Sequence, residues 1–454
     1  MGRQPKQPNR DLADLLSESG VSNKGLARRV IERGRAVGLE LAYDHTSVAR
    51  WCAGQQPHAP GPELIAAVMT ELLGRKITPS ACGMSGGQDP VELGLEFSLS
   101  LAEATAAVTA LWRNDVERRR FLQGASYAVA VYPAASMRWL TLPAPEHPVS
   151  AGTRRVGQSD VDAVRTMAAA FRDLDNKVGG GKVRPTIVQY LHSSVAPLLR
   201  GSYAEHIGRQ LFATTAELTK LAGWAAYDQE EHGLAQRYLI QALRLARAAN
   251  DPGLGAEILA AMSHQATYVG RPGDAVDLAR AAQISARSAG LAPLESECHM
   301  VEAHGHAARL DRTSCAAAMY AAERAFTKTD SSDPPGWLSY FDAAYMSAKF
   351  AHCFRELGDD VRTAQFAEQS LHMSEGYVRG RAFNLAVLAS ARAKENPREA
   401  VRVGYQALDI AGSLSSRRSY AYLRELRKRL KAHADIAEVA EFRHQVTVLA
   451  TSRD

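Results

Sequence analysis

GLAQRYLIQALRLARAA, residues 233–249, aligns without gaps on GDAVDLARAAQISARSA, residues 273–289, and this self-similarity is the strongest indication of the fold. Each copy carries a pair of small residues seven positions apart, Ala235 with Ala242 in the first copy. Seven residues complete almost two helical turns, so both members of a pair lie on one helix face and let a neighbouring helix approach closely. The recurrence predicts an array of helix pairs.

The same pair recurs further along the chain. Its later copies are Ala275 with Ala282, Ala318 with Ala325, Ala400 with Ala407, and a degenerate copy formed by Thr363 and Ser370. The segments ELTKLAGWAAYDQ and GAEILAAMSHQATYV precede two copies and are predicted to supply the first helix of each pair. Stacked pairs form a curved solenoid whose extended concave surface suits peptides, partner helices or small ligands. The period of about 40 leaves the repeat family open, and a purely structural or dimerising role is the alternative.

Composition and charge narrow the function classes. The chain has 454 residues, of which 46% are hydrophobic and 23% charged, as is typical of a folded protein with more than one domain. The net charge of +5 is too small to demand a nucleic-acid partner unless basic residues concentrate locally. Five cysteines without CxxC spacing predict free thiols in a reducing compartment. The N-terminus lacks an apolar signal region and no apolar run reaches about 18 residues, so we expect a cytoplasmic protein without membrane segments.

Turn-forming residues divide the chain into three predicted domains. Before residue 80, short helices alternate with turns: Ser22 or Asn23 is predicted to cap one helix, and Pro62 and Gly74 to bracket another. The segments SACGMSGGQDP and TLPAPEHPVSAGTRRVGQSD are rich in Gly, Ser and Pro and are predicted to be linkers. The resulting division is a small helical domain over 1–80, a helical connector and linker over 81–159, and helical repeats over 160–454.

The stretch DHTSVARWCAGQQP, residues 44–57, has the chemistry of a helix that reads DNA. Val48 and Trp51 are three positions apart and are predicted to face inward, whereas Ser47 and Arg50 are predicted to face outward near the helix start. Gly54 can end the helix in the left-handed conformation. A recognition helix needs such an apolar underside and polar upper face, because Arg pairs bidentately with guanine and Ser or Thr reaches bases or phosphates.

Basic residues on the preceding helix add a means of neutralising phosphates, although a solvated helix face is the alternative interpretation. Arg33 and Arg35 extend this basic run. The candidate DNA-binding residues are Lys24, Arg28, Arg29, His45, Thr46, Ser47, Arg50, Gln55 and Gln56.

Three segments carry a resemblance to a known group of proteins. HTSVARWCAGQQP resembles the end of the recognition helix and the following turn in helix-turn-helix domains of the Cro and lambda-repressor type, although the insert IERGRAVGLELAYD lengthens the second helix or loosens the turn. FRDLDNKVGGGKVRPTIVQYL and LAGWAAYDQEEHGLAQRYLIQALRLARAA resemble central segments of actinobacterial regulators that join such a domain to tetratricopeptide-like repeats. This group is similar to negative regulators of differentiation and antibiotic production in Streptomyces.

The resemblance implies an all-α protein with an N-terminal helix-turn-helix domain followed by a helical-repeat solenoid. It implies a cytoplasmic transcriptional regulator that binds a double-stranded DNA operator, most simply as a repressor of development or secondary metabolism. The repeats would form a homodimer and sense a peptide or small-molecule ligand. The alternative function is a protein-interaction scaffold in which the helix-turn-helix-like region docks a protein partner and not DNA.

Four residues on the first helices of successive pairs are candidate ligand-binding residues, because they combine aromatic area with polar tips. The alternative is that they only pack between repeats. These residues are Trp224, Tyr227, His264 and Tyr268.

Other motifs do not predict catalysis or a bound cofactor. GGGK, residues 179–182, suggests a phosphate loop, but Val183 stands where Ser or Thr would coordinate magnesium, and we interpret the segment as a flexible loop. The His and Cys residues do not have the spacing of a zinc site. We find no catalytic motif either, so we expect neither an enzyme, a metal nor a cofactor. The Cys and His residues considered are Cys298, His299, His304, His306, His352 and Cys353.

The basic segment SSRRSYAYLRELRKRLKAH begins at Ser415 and carries an apolar stripe of Leu423, Leu426 and Leu430. An apolar stripe with basic residues around it is typical of a helix that caps a repeat array, so we predict that the Arg and Lys residues cover the solvent side of a terminal helix.

Overall fold

The computed structural model describes residues 8–36, 39, 41–57, 60–75, 77–84, 93–117, 125–142, 150–328 and 335–451. The described residues are almost entirely helical, which confirms the predicted all-α class. The chain divides into two compact units, an N-terminal unit of residues 1–93 and a repeat unit of residues 94–454. The five cysteines, all in the described part, are free thiols as predicted. None of the described helices has the length and apolar character needed to cross a membrane.

The described residues of the N-terminal unit form helices around one apolar core. Leu26, Val30, Val48, Trp51 and Ile65 are buried together there. These helices are α1 (Arg10–Ser19), α2 (Asn23–Ala36), α3 (His45–Cys52) and α4 (Gly61–Leu73), followed by a 3₁₀ turn, Ser80–Cys82.

The predicted helix ends of this unit are confirmed. The Ser22 hydroxyl accepts a hydrogen bond from the backbone N–H of Gly25 at 3.2 Å, at the start of α2. Gly74 ends α4 with a φ of 65°, in the left-handed conformation that glycine adopts without strain. The second half of the predicted linker over 80–90 lies outside the described residues.

The repeat unit begins with helices that precede the array. These are α5 (Leu101–Glu117), α6 (Val131–Thr141), α7 (Gln158–Val178), α8 (Gly180–Tyr190) and, after a π turn, α9 (Ala196–Leu199). Two short antiparallel strands, β1 (Ser150–Ala151) and β2 (Ser202–Tyr203), pair beside them.

The array itself consists of helix pairs, as the repeated sequence predicts. The pairs are α10 (Glu205–Asp228) with α11 (His232–Ala249), α12 (Pro252–Tyr268) with α13 (Pro272–Ala289), α14 (Ala292–Ala308) with α15 (Arg312–Phe326), α16 (Ala343–Glu356) with α17 (Asp360–Ser370), and α18 (Val378–Arg392) with α19 (Pro397–Ser413). Two further helices, α20 (Arg417–Arg429) and α21 (Ala437–Thr451), follow.

The small-residue pairs mark the second helix of every pair in the described array. Ala235 and Ala242 are fully buried on α11, and their counterparts on α13, α15 and α19 are buried as well. The degenerate copy is confirmed too, since Thr363 and Ser370 are 1% and 0% exposed on α17. Small buried residues let the neighbouring helix approach, so the pattern that repeats in the sequence is the contact that holds each pair together.

The described part of the predicted helical connector over 81–159 contains α5 and α6 and packs on the array from Gly94 onward. The amide of Gln241 on α11 donates to the carbonyls of Gly94 and Glu96 at 2.9 and 2.8 Å. Gln236 exchanges two hydrogen bonds of 2.8 Å with the backbone of Ala128. Buried polar side chains on α11 need partners, and this segment supplies them. Most of the linker over 141–160 lies in the described part, except residues 143–149.

The two ends of the array meet. The Arg379 guanidinium on α18 donates to both carboxylate oxygens of Asp175 on α7, at 3.0 and 2.7 Å. It also lies 3.4 Å from the carboxylate of Asp228 at the end of α10. The Ser416 hydroxyl, just before α20, donates to Asp228 at 2.8 Å. The array therefore closes, and the concave surface predicted to be extended becomes the wall of a cavity.

The glycine-rich segment 179–182 is part of this closure, so the flexible-loop interpretation is wrong. Gly179 has a φ of 86° and joins α7 directly to α8. The backbone N–H of Gly181 donates to the carbonyl of Ser415 at 3.0 Å. A Cβ atom at Gly180 would lie 2.5 Å from the carbonyl oxygen of Ala225. Close backbone approach explains these glycines, and no phosphate loop is formed.

The predicted terminal helix is also corrected. Leu423 and Leu426 are buried on α20 as the apolar stripe predicts. However, α21 follows α20, so α20 is not the last helix. Arg418 is only 4% exposed and faces inward. The prediction that the basic residues cover the solvent side is therefore wrong for Arg418, because the closed array buries this end of α20.

Replacing Arg379 by Met tests the closure. Two buried carboxylates would lose their counter-ion, and we expect the free energy of unfolding to fall by about 3–5 kcal/mol. Burial raises the pKa of Asp175, so its carboxyl takes up a proton more readily in the folded variant. The loss of unfolding free energy relative to the wild type therefore becomes smaller as the pH falls from neutral. Denaturant unfolding at several pH values measures both effects.

The matched control is Arg402→Met, because Arg402 pairs with Glu399 at the surface, at 2.6 Å, with a side chain that is 62% exposed. Exposed ion pairs contribute little to stability, so we expect hardly any change in the free energy of unfolding. Equal effects of the two substitutions would contradict the role of Arg379.

Candidate functional site

Helix α3 of the N-terminal unit is held by a capping box. The Asp44 carboxylate accepts hydrogen bonds from the Ser47 backbone N–H at 2.8 Å and from the Thr46 hydroxyl at 2.7 Å. The Ser47 hydroxyl in turn accepts from the Asp44 backbone N–H at 3.3 Å. Val48 and Trp51 are 0% and 4% exposed, which confirms the predicted apolar underside. The ring of Tyr43 packs edge-on against Trp51 at 5.0 Å.

Most of the predicted DNA-binding residues near α3 lie on its exposed side. His45, Thr46 and Arg50 are exposed, as are Gln55 and Gln56 beyond the helix end. Gly54 has a φ of 90°, and its left-handed conformation ends the helix as predicted.

Ser47 is the exception among these residues. The structure buries its side chain, with 6% exposure, so the prediction that it faces outward is wrong. Its hydroxyl lies in the capping box and within 3.3 Å of the guanidinium of Arg50. A hydroxyl at the third helical position reaches back to the cap, and this local bond competes with outward exposure. Ser47 therefore positions α3 and Arg50.

Helix α2 presents the predicted basic residues beside α3. Lys24, Arg28 and Arg29 are exposed, and Arg28 lies 3.7 Å from Glu32 on the same helix. The insert between the two helices lengthens α2 to Ala36 and separates it from α3. Within that insert, Leu39 and Leu41 pack partly buried against the core of the unit.

The repeat unit contains a cavity of about 210 Å³. Its walls are the first helices of successive pairs, together with α7 and the start of α20. Carboxylates, cations and aromatic rings all line it.

The acidic wall of the cavity is mostly satisfied by its neighbours. The Tyr340 and Tyr345 hydroxyls donate to the Glu297 carboxylate at 2.6 and 3.1 Å. Lys220 pairs with one oxygen of Glu257, while the other oxygen, Oε2, is buried without a partner among the described residues. Burial, with the nearby charge of Glu257, raises the pKa of Glu297.

Two buried cations also line the cavity. Lys349 is 6% exposed, and its Nζ lies 3.0 Å from Nδ1 of His264. Burial lowers the pKa of Lys349 to about 8. The Arg418 guanidinium stacks on the rings of Tyr227 and Phe383, at 4.2 and 4.8 Å from the centroids. Among the described residues, neither cation has a carboxylate within ion-pair distance.

Three histidine rings follow one another in this part of the repeat unit, and two of them, His264 and His352, line the cavity. The His264 and His304 centroids are 6.0 Å apart, and those of His304 and His352 are 5.9 Å apart. Burial lowers the pKa of all three, so they are neutral near neutral pH. In the described part of the chain, no cluster of three His, Cys, Asp or Glu side chains has the geometry to hold a metal ion.

The structure brings the four predicted ligand-binding residues together. Ring centroids of Trp224 and His264 are 5.5 Å apart, and those of Tyr227 and Tyr268 are 5.4 Å apart. Trp224 and His264 line the cavity. Tyr227 is fully buried behind them, and the Tyr268 hydroxyl donates to Glu230 at 3.0 Å.

Sequence reasoning missed the charged residues of the cavity. Glu257, Glu297, Lys349 and Arg418 come from different helices, and only the closed array brings them to one place. One local signal was available for Glu257. It stands among small and apolar residues in GAEILAAM, and a charged residue in such surroundings indicates a buried position.

Tyr227→Phe tests whether this aromatic cluster is core. The Tyr227 hydroxyl is buried without a hydrogen-bond partner among the described residues. Removing it should therefore leave the free energy of unfolding unchanged or raise it slightly. Tyr268→Phe, the matched control, loses the bond to Glu230 and should cost about 0.5–1.5 kcal/mol. If Tyr227→Phe cost as much as the control in denaturant unfolding, the hydroxyl would have a partner and the core assignment would fail.

Comparison with known proteins concerns the N-terminal unit. A family model described as the SP15 N-terminal domain matches residues 12–85. The match spans α2, α3, α4 and the 3₁₀ turn, together with α1 from Leu12 onward. A search of curated proteins finds no match to the chain. The unit that presents α3 is thus similar to a recognised domain.

Proposed function

We propose that this chain is a DNA-binding transcriptional regulator of the cytoplasm, acting as a repressor. The observation that supports this most is the arrangement of α3. Its capped N-terminus exposes His45 and Thr46, Arg50 follows on the exposed side, and Val48 and Trp51 anchor the opposite side in the core. Residues near the start of a recognition helix contact base edges in the major groove, and Arg pairs bidentately with guanine.

Helix α2 supports the same proposal through its charge. Lys24, Arg28 and Arg29 are exposed on a helix that packs beside α3 in the core of the unit. Such residues neutralise phosphates and position a reading helix without carrying sequence information themselves.

The repeat unit has the proposed role of sensing and dimerisation. Its cavity is lined by charged and aromatic groups, as a ligand site would be. A ligand there alters DNA affinity only if it binds the DNA-competent and DNA-incompetent arrangements with different affinities. In this arrangement the N-terminal unit binds DNA and the repeat unit binds the ligand.

Two substitutions separate base reading from phosphate contact. Arg50→Ala should weaken binding to the operator by about 1–3 kcal/mol and relax discrimination at one base position. Arg28→Ala should weaken binding to all sequences alike and reduce the salt slope by about one. Fluorescence anisotropy on operator and scrambled duplexes at several salt concentrations measures both.

Arg75→Ala is the matched control, because Arg75 lies beyond α4 and pairs with Glu18 at 2.7 Å. It should change neither affinity nor slope. If Arg50→Ala and Arg28→Ala left binding unchanged, the proposed DNA contacts would be refuted, and a protein-docking scaffold would become the better account.

We expect a homodimer assembled mainly through residues 160–454. One short recognition helix reads few base pairs, so tight operator binding generally needs two copies about one helical turn of DNA apart. Light scattering should be done on residues 94–454, since the segment from Gly94 packs on the array. A dimer at micromolar concentration is the expected result, and a monomer would contradict the prediction.

A further inference from the structure

We propose that the cavity of the repeat unit binds a small organic anion, whose carboxylate or phosphate group accepts hydrogen bonds from Lys349 and Arg418. This names the chemical class of ligand for the sensing role, and only the claim that its binding is a signal rests on the proposed regulation. The cavity of about 210 Å³ is smaller than most pockets for drug-sized ligands, which favours a small molecule over a peptide.

The first argument is the cost of the two buried cations. Lys349 and Arg418 are 6% and 4% exposed and both line the cavity. A buried charge without an opposite charge is expensive, and proteins pair such groups or place them where a ligand completes the pair. Within the described residues, Lys349 is bonded only to His264, and Nε of Arg418 is buried with no partner.

The second argument is that nearby carboxylates are occupied by other donors. Arg379 holds Asp175 and Asp228. Glu297 accepts from Tyr340 and Tyr345. Among the described residues, none of these carboxylates forms a direct ion pair with Lys349 or Arg418, so an anion that enters the cavity can form one.

Lys220 lines the same cavity and differs from Lys349 in having a direct ion pair. Its ammonium pairs with Glu257 and lies 5.7 Å from the ring centroid of Trp224. It lines the same cavity as Lys349, yet it already has its anion. The cavity thus contains one lysine with a direct ion pair and one, Lys349, whose Nζ is hydrogen-bonded to His264 and lies 5.2 Å from the ring centroid of Tyr345.

The other residues that line the cavity indicate which further groups the ligand carries. The rings of Trp224, Tyr345 and Phe383 line the cavity and suit a planar or apolar body. Oε2 of Glu257 is buried without a partner among the described residues and would accept a hydrogen bond from a hydroxyl or amino group. We therefore expect an anionic head, a planar body and a donor group.

Thermal unfolding and calorimetry of the full chain test the proposal with simple probes. Benzoate and phenyl phosphate distinguish a carboxylate from a phosphate head, and benzylammonium is the cationic counterpart. At constant ionic strength we expect at least one of the two anions to raise the Tm of the wild type, and benzylammonium not to raise it.

Lys349→Met should weaken binding of that anion at least tenfold. Without any probe, its Tm should equal or exceed that of the wild type, because the substitution removes the desolvation cost of a buried ammonium that has no direct ion pair among the described residues. Lys220→Met is the matched control: it should lower the Tm, because Glu257 loses its counter-ion, and the anion should still raise the Tm of this variant. If Lys349→Met does not fold, Arg418→Gln takes its place, with the same tenfold loss expected.

Failure of both anions to bind the wild type would overturn the proposal. So would a preference for benzylammonium, or undiminished anion binding by the variant. Because no DNA is present, the result is independent of operator binding. If Arg50→Ala loses operator binding but still binds the anion, the result bears only on the proposed DNA contacts. If Lys349→Met loses anion binding but still binds the operator, the result bears only on the cavity.

Discussion

The closed array depends on one buried ion pair, in which Arg379 joins Asp175 to Asp228. Asp175 lies on the helix before the array, Asp228 on the first helix of the array, and Arg379 on the first helix of its last pair. Stacked helix pairs by themselves form an open solenoid. Here the guanidinium needs both carboxylates to offset its desolvation, and this requirement brings the two ends together.

Everything else about the cavity follows from this closure. The glycines at 179–181 let the backbone of α8 approach Ser415 and Ala225. The approach carries α20 inward and buries Arg418 against Tyr227 and Phe383. A surface that would be extended in an open solenoid thus becomes the wall of a cavity of about 210 Å³.

The sequence predicted the features that depend on local periodicity. Small residues seven positions apart marked every second helix of the described pairs, including the degenerate copy at Thr363 and Ser370. The two faces of α3 followed from the spacing of Val48 and Trp51. Features that depend on distant contacts were missed: Arg418 looked like a solvent-facing residue because nothing near it shows that the array closes. Ser47 was missed for a local reason, since a hydroxyl at that position serves the helix cap as readily as a ligand.

The proposed function requires that the N-terminal unit reads DNA. The most direct test is the affinity of the full chain for a duplex recovered by genome-wide binding, compared with a scrambled duplex of equal length across a range of salt concentrations. We expect a preference of at least about 10³-fold for the recovered duplex and a linear fall of log K with log salt concentration. Equal binding to both duplexes, or an affinity that does not depend on salt, would contradict it.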